Sequence, residues 1–287
     1  MKLKVLITGA NGILGSTIIK KFENIPDIRI FALDKKFSSY LNFKSRTKKI
    51  KCDFTDKYRI KKIIYRNKIN FIIHLGAVTQ VLEAYEKPFE TFLNNIIGTI
   101  NFLEIIKNSK RKIYFIFSSS DKAYGKMTKS KYFENDPLKG DYPYDVSKSS
   151  SDLIVQSYSK TYNINVGVVR SGNIYGPRDF NLDRIVPHVI TRLIQNKPPI
   201  IRSNGKLRRD YIYVEDIADA YKKLMNKMIK SNKKLFIYNI GSNTNLSVLS
   251  LTNKITKLMN VNIKPKILNK SKIEIPSQKL NYSKIKK

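Results

Sequence analysis

The stretch Leu3-Lys4-Val5-Leu6-Ile7-Thr8-Gly9-Ala10-Asn11-Gly12-Ile13-Leu14-Gly15 decides the fold. Residues 3–8 are β-rich and mostly apolar, and the run stops at Gly9. From Ile13 to Phe22 apolar residues recur with helical spacing, so the whole reads as strand, glycine turn and helix. Such a turn lets the backbone approach a pyrophosphate, whose charge is stabilised by unpaired N–H groups and the positive end of the helix macrodipole. The expected ligand is a dinucleotide held at Gly9, Gly12 and Gly15. The spacing is Gly-x-x-Gly-x-x-Gly rather than the commoner Gly-x-Gly-x-x-Gly, and a glycine triplet by itself is also ordinary turn chemistry.

A second strand, Ile28 to Leu33, ends at Asp34, 19 residues after the last glycine. A carboxylate there binds a ribose 2′-hydroxyl and repels a 2′-phosphate, which favours NAD over NADP, although Lys35 and Lys36 follow at once. Asp53, after a third strand at Lys49 to Cys52, either caps the next helix or meets the adenine edge. Further strands are expected at Phe71 to His74, Ile113 to Phe117 and Asn165 to Arg170, with helices near Asp56 to Arg66, Phe89 to Asn108 and Asp145 to Tyr162. This alternation predicts an α/β fold with a doubly wound parallel sheet covered on both faces. The polar segment Lys126 to Tyr142 is long enough to act over an active site. Beyond Arg170 the pattern becomes irregular, with Gly172, Gly176-Pro177 and Pro198-Pro199, as expected of a smaller substrate lobe. The expected division is residues 1–170 for the dinucleotide domain with the catalytic groups, and 171–287 for the lobe, partly interleaved with the sheet.

Ser118-Ser119-Ser120 follow the fifth strand at its carboxyl end, where open parallel sheets bind ligands. Tyr144 and Lys148 are four apart at the start of a helix and share one face. A phenol with an ordinary pKa of about 10 is a poor base at neutral pH, but a neighbouring ammonium favours the phenolate. Tyr144 is therefore expected to take a proton from a sugar hydroxyl as the carbon gives up hydride to a nicotinamide, with a serine hydroxyl holding the same oxygen.

Fifty-five basic against 22 acidic residues give a net charge of +33, but 43 of the basic residues are lysine and they are spread along the whole chain. Readers of nucleic acid cluster basic groups on one face and favour arginine for bidentate contacts. No specific nucleic-acid partner is expected, only attraction of anionic substrates and nonspecific binding at low salt. Cys52 is the single cysteine, which leaves no internal disulfide and no multi-cysteine metal site, and neither His74 nor His188 has a partner at metal-ligand spacing. No signal-peptide pattern and no apolar run of membrane-spanning length is found, so a cytoplasmic protein without a membrane partner is expected.

With these residues in place the chain resembles the extended short-chain dehydrogenase/reductase family, the NAD-dependent sugar-nucleotide epimerases and dehydratases. The resemblance rests on the blocks Thr8 to Gly15, His74 to Ala77, Asn95 to Thr99, Ser119 to Gly125, Tyr144 to Lys148, Arg170 to Pro177 and Arg209 to Asp216, in family order. It implies a Rossmann-type domain with tightly held NAD, contacted also by Asn11, Ile13, Leu14, Phe54, Leu75, Ala77 and Asn95. It implies a C-terminal lobe gripping a nucleoside diphosphate sugar, with Asn173, Arg209 and Arg202 toward the diphosphate or nucleoside. A homodimer through the helices Phe89 to Asn108 and Asp145 to Tyr162 is likewise what the resemblance suggests.

Ser120-Asp121-Lys122 bears on which member this is. Dehydratases of the family usually read Thr-Asp-Glu here, and Asp-Lys is similar to the CDP-glucose 4,6-dehydratases. That resemblance implies oxidation at C4 by Tyr144, removal of the C5 proton by Lys122 and protonation of the departing oxygen by Asp121. The alternatives are a nucleotide-sugar epimerase of the same family, for which Asp121 would be spare, and a noncatalytic dinucleotide-fold protein that binds polyanions. Family members continue past a segment like Leu280 to Lys287 into a Leu-Gly-Trp-x-Pro motif and a final helix, so the chain is expected to be short at its C-terminus.

Overall fold

In the computed structural model, which describes residues 2–126, 129–270 and 275–286, the opening run forms strand β1 (Leu3–Thr8), the turn, and helix α1 (Ile13–Phe22). Residues 127–128, in the expected active-site loop, and Lys287 lie outside the described residues. The chain continues through β2 (Ile28–Asp34), β3 (Thr47–Lys51), α2 (Lys57–Arg66) and β4 (Phe71–His74). Short helices α3 (Val81–Glu86) and α4 (Pro88–Phe92) lead through a π-helical turn, Leu93–Ile97, into α5 (Gly98–Lys107). Then come β5 (Tyr114–Ser118), a 3-10 turn at Asp121–Tyr124, α6 (Pro143–Tyr162) and β6 (Asn165–Ser171).

The remaining elements are β7 (Asn173–Tyr175), α7 (Ile185–Ile194), β8 (Ile200–Ile201), β9 (Arg208–Tyr213), α8 (Val214–Lys230) and β10 (Leu235–Ile240). The last are β11 (Asn245–Ser247), α9 (Val248–Leu258), β12 (Lys266–Ile267) and α10 (Ser283–Lys286).

Seven parallel strands form the main sheet in the order β10-β6-β5-β4-β1-β2-β3. The order reverses at β1 and β4, which opens a crevice at the carboxyl ends of those two strands. Alternate side chains of the strands feed two cores: Val5, Ile7 and Ile30 pack with α1 and α8 on one face, Leu6, Phe31 and Ile72 with α2 and α5 on the other. Burial on both faces explains why Val5 to Ile7 in β1, Phe71 to Ile73 in β4 and Val166 to Val169 in β6 read as continuous runs without a charged residue instead of alternating ones.

Two features differ from the sequence expectation. The single helix expected at Phe89 to Asn108 is broken by the π-helical turn, because Asn95 turns inward to bond the Val78 backbone while Gly98 lies flat on the Phe54 ring. The sheet also gains β10 from far beyond residue 170, paired along β6 from Leu235↔Val166 to Ile240↔Ser171. Of the smaller sheets, β11-β9-β7 and β12-β8, the strands β7, β8 and β9 border the crevice together with α7 and the start of α9.

Candidate active site

A cleft of about 1180 Å³ runs from the glycine turn across the carboxyl ends of the strands to β9 and the residues after β12. Its floor is the turn itself. Gly9 has φ +66°, and a Cβ on it would come within 2.9 Å of the Gly76 nitrogen; a Cβ on Gly15 would meet the Gly9 carbonyl oxygen at 2.2 Å. Only glycine lets α1 begin this close to β1. The helix starts at Gly12, whose position carries no side-chain cap, so its first N–H groups face the cleft mouth with the positive end of the dipole. Gly9, Asn11, Gly12, Ile13, Leu14, Gly15, Asp34, Phe54, Leu75 and Ala77 all line this half.

Asp34 accepts the Asn11 N–H on Oδ2 at 2.9 Å and its neighbour Lys35's N–H on Oδ1 at 2.8 Å, which fixes the carboxylate at the end of β2. Lys35 itself reaches Asp53 at 2.9 Å, so its charge is turned toward a carboxylate. Burial raises the Asp53 carboxyl, but hydrogen bonds from Thr55 and Lys35 outweigh it and hold it below the usual range. The cap of α2 is Asp56, not Asp53, which instead folds the turn before it. Asn95, expected at the cofactor, is buried off the cleft wall: its amide joins Val78 to Ser147 Oγ at 2.9 Å and so ties α6 to the loop after β4.

Opposite the turn, Ser120, Lys122, Tyr144 and Lys148 lie on one wall. Ser120 caps the 3-10 turn, accepting the Lys122 N–H at 3.2 Å and donating to Asp121 Oδ1 at 3.1 Å. Asp121 lies behind this wall, only 2 % exposed, with Oδ2 lacking a hydrogen-bond partner. Burial raises its pKa against the lowering pull of Lys122 and Arg209.

Burial pushes the Tyr144 hydroxyl up to about 12, eased by the Ser120 hydroxyl and the Arg184 cation. Lys148, also buried, is brought down to about 8 and donates to the Ser118 carbonyl oxygen at 3.0 Å. Lys148 thus anchors α6 to the end of β5, and desolvation dominates both groups.

On the lobe side Asn173, Arg202 and Arg209 line the cleft. Arg202 pairs with Asp183 at 2.7 Å, whereas Arg209 is 4 % exposed and its Nη1 donates to the Arg208 carbonyl at 2.9 Å. Arg184, the N-cap residue of α7, lies on the wall near Tyr144 and pairs with Asp179 at 3.4 Å; no motif spacing in the sequence marks it. Among the described residues no cluster of three or more His, Cys, Asp or Glu is placed to hold a metal, and no helix is long and apolar enough to cross a membrane.

The model of the NAD dependent epimerase/dehydratase family matches residues 5–241. The chain belongs to this family. It is 33 % identical over 282 residues to a dTDP-D-glucose 4,6-dehydratase of Dictyostelium discoideum, covering 89 % of this chain and 62 % of that protein. A human protein of the same name is 30 % identical over 264 residues, covering 89 % of this chain and 74 % of the relative. The chain therefore spans less than two thirds of the Dictyostelium relative's length. In fold it is similar to the UDP-glucose 4-epimerase of Thermotoga maritima, with a TM-score of 0.90, 24 % identity, and coverage of 99 % of this chain and 91 % of that one. NAD, the family's cofactor, fits the cradle: a glycine turn that any Cβ would fill, helix N–H groups without a cap, and a fixed carboxylate at the end of β2.

Proposed function

We propose that this protein is an NAD-dependent nucleoside-diphosphate-hexose 4,6-dehydratase. The observation that carries the reading is one 3-10 turn beside Tyr144 that bears both a buried carboxyl with a raised pKa, Asp121, and an amine on the cleft wall, Lys122. Dehydration needs an acid for the leaving oxygen and a base for a carbon-bound proton, whereas epimerisation at one carbon needs neither.

Held by the glycine turn and Asp34, NAD would supply the hydride acceptor and donor for the reaction. Tyr144 takes the O4 proton while the Ser120 hydroxyl holds that oxygen. The ketone at C4 acidifies the C5 hydrogen, and Lys122 is assigned as the base that removes it. Asp121 then gives its proton to O6, which leaves as water, and Lys122 returns a proton to C5. The sugar loses one water in total. Burial raises the Asp121 pKa, the direction a general acid requires.

Asn173, Arg202 and Arg209 are assigned to the diphosphate and nucleoside, within a lobe of residues 171–287 that lends β10 and α8 to the NAD domain of residues 1–170. The relatives' names point to dTDP-glucose; Lys122 in the place usually held by glutamate favours CDP-glucose. An epimerase is the second reading, favoured by the placement of Asp121 behind the wall. We also assign a homodimer through α4 to α6, where Phe89, Leu93, Ile97 and Leu153 stand exposed on adjoining helices.

Proton NMR of CDP-, UDP-, dTDP- and GDP-hexoses with enzyme and NAD tests the reading. A 4-keto-6-deoxy product from one of them supports it, and Tyr144→Phe should slow its formation by about 10²–10⁴-fold. An interconverted hexose would make the protein an epimerase.

A further inference from the structure

Arg170, the largest fully buried side chain, has no part in the chemistry above. Its Nε and Nη2 clamp both oxygens of Asp152 on α6 at 2.8 and 3.0 Å. Its Nη1 donates to the Tyr124 hydroxyl at 2.7 Å and to the Glu134 carbonyl at 2.9 Å. Tyr124 is the last residue of the 3-10 turn that carries Asp121 and Lys122. Its hydroxyl donates onward to Asn239 Oδ1 on β10 at 2.8 Å, and Asn239 closes the circuit by donating its N–H to Glu134 Oε1 at 3.0 Å and its side-chain amide to the Tyr132 carbonyl at 3.1 Å. Tyr132 stacks on the Tyr124 ring at 4.6 Å with the planes 8° apart.

The turn is thus fixed from three sides. Ser120 caps its start, and Gly125 ends it with φ +73° where a Cβ would overlap the Lys139 carbonyl oxygen. The third hold is the Tyr124 hydroxyl, 1 % exposed and shared between a cation from β6 and an amide from β10. Tyr144 and Lys148 lie on α6, which the Arg170–Asp152 clamp also grips but which has further holds of its own in the Ser118 carbonyl and in Asn95, and none of these passes through the Tyr124 hydroxyl.

We propose that Tyr124 and Arg170 are positioning residues that set the register of the Asp121–Lys122 turn, so that loosening them disables loss of water from the sugar while oxidation at C4 continues. This rests on the dehydratase reading. A buried hydrogen-bond circuit holds its members more firmly than its separate pairs would, and proton transfer to and from carbon tolerates little displacement.

Tyr124→Phe removes one oxygen and leaves the ring stack in place. In a quenched single turnover, mass spectrometry separates the 4-keto-hexose from the 4-keto-6-deoxyhexose, which differ by one oxygen. The expected result is unchanged formation of the first and a slowing of its conversion to the second by about a hundredfold, the effect of displacing reacting groups by about 1 Å. Amide hydrogen exchange of the protein without substrate should quicken at residues 121–125 and not along α6. Arg170→Lys, which keeps a buried cation against Asp152, should show the same partition in milder form. Equal slowing of both steps, or unchanged turnover with a lowered Tm, overturns the proposal. A wild type that makes no 4-keto-6-deoxy sugar overturns the dehydratase reading and this proposal with it; a wild type that does, beside a Tyr124→Phe variant with normal partition, overturns this proposal alone.

Discussion

The Lys148 ammonium donates to the Ser118 carbonyl oxygen at 3.0 Å, so the lysine of the Tyr-x-x-x-Lys motif is tied to the last residue of β5. It orients the helix that carries Tyr144, at the cost of burying a cation. Its pKa falls from 10.5 to about 8, so between these values the unfolded chain binds more protons than the native one and stability rises with pH. Below about 8 the burial penalty is complete, roughly 3 kcal/mol. Lys148→Met is therefore expected to be more stable than wild type at neutral pH by up to that amount. The gain should fade as pH climbs toward 10.5, while kcat drops by about 10²-fold or more. Urea titrations across the alkaline range measure the first effect, initial rates the second.

His74 supplies the acid limb. It is 1 % exposed among Phe54, Phe102, Phe115 and Phe117, bonds Thr8 Oγ1 through Nδ1 at 2.7 Å, and is lowered from 6.5 to about 3 by burial and then by Lys148. The unfolded chain protonates this ring first, so stability should fall as pH drops from 6.5 toward 3, with a slope of up to about 1.4 kcal/mol per pH unit from this group. His74→Phe should flatten that portion of the curve. An unchanged slope in the variant would remove His74 from the account.

Gly15→Ala tests the cradle. The added Cβ would sit 2.2 Å from the Gly9 carbonyl, so the turn must open. NAD affinity measured by calorimetry should fall by about tenfold or more, corresponding to a strain of about 1–3 kcal/mol. A folded variant with wild-type affinity would contradict the placement of the pyrophosphate.

Asp34→Ala tests cofactor choice. With the carboxylate gone and the Asn11 N–H released, Lys35 and Lys36 remain to meet a 2′-phosphate. The ratio of NADP to NAD affinity should rise by about tenfold, a shift of about 1.4 kcal/mol. A ratio that does not move would place the ribose elsewhere.

Much of the NAD domain was legible because its signals are local. The β1 run, its glycine turn and α1 fall within residues 3–22, and Phe71 to His74 was read at its observed bounds. β3 begins earlier than expected, at Thr47, because Lys48 and Lys49 lie exposed on the sheet's edge strand and give no apolar pattern. β10 could not be placed, since its membership in the sheet depends on pairing with β6 across many intervening residues. The same limit applies at the site. Ser120, Tyr144 and Lys148 follow from spacing, but that Asp121 is buried behind the cleft wall and that Asn95 turns inward are set by tertiary contacts. Likewise, the burial that raises Tyr144 is a property of the packed site, invisible in a helix face read from sequence.

The most direct test of the central claim uses CDP-glucose, and in parallel dTDP-glucose, carrying deuterium at C4. With enzyme and NAD, the dehydratase account predicts a 4-keto-6-deoxy product whose C6 methyl group has received that deuterium. Deuterium retained at C4 of an inverted hexose would contradict it and establish an epimerase.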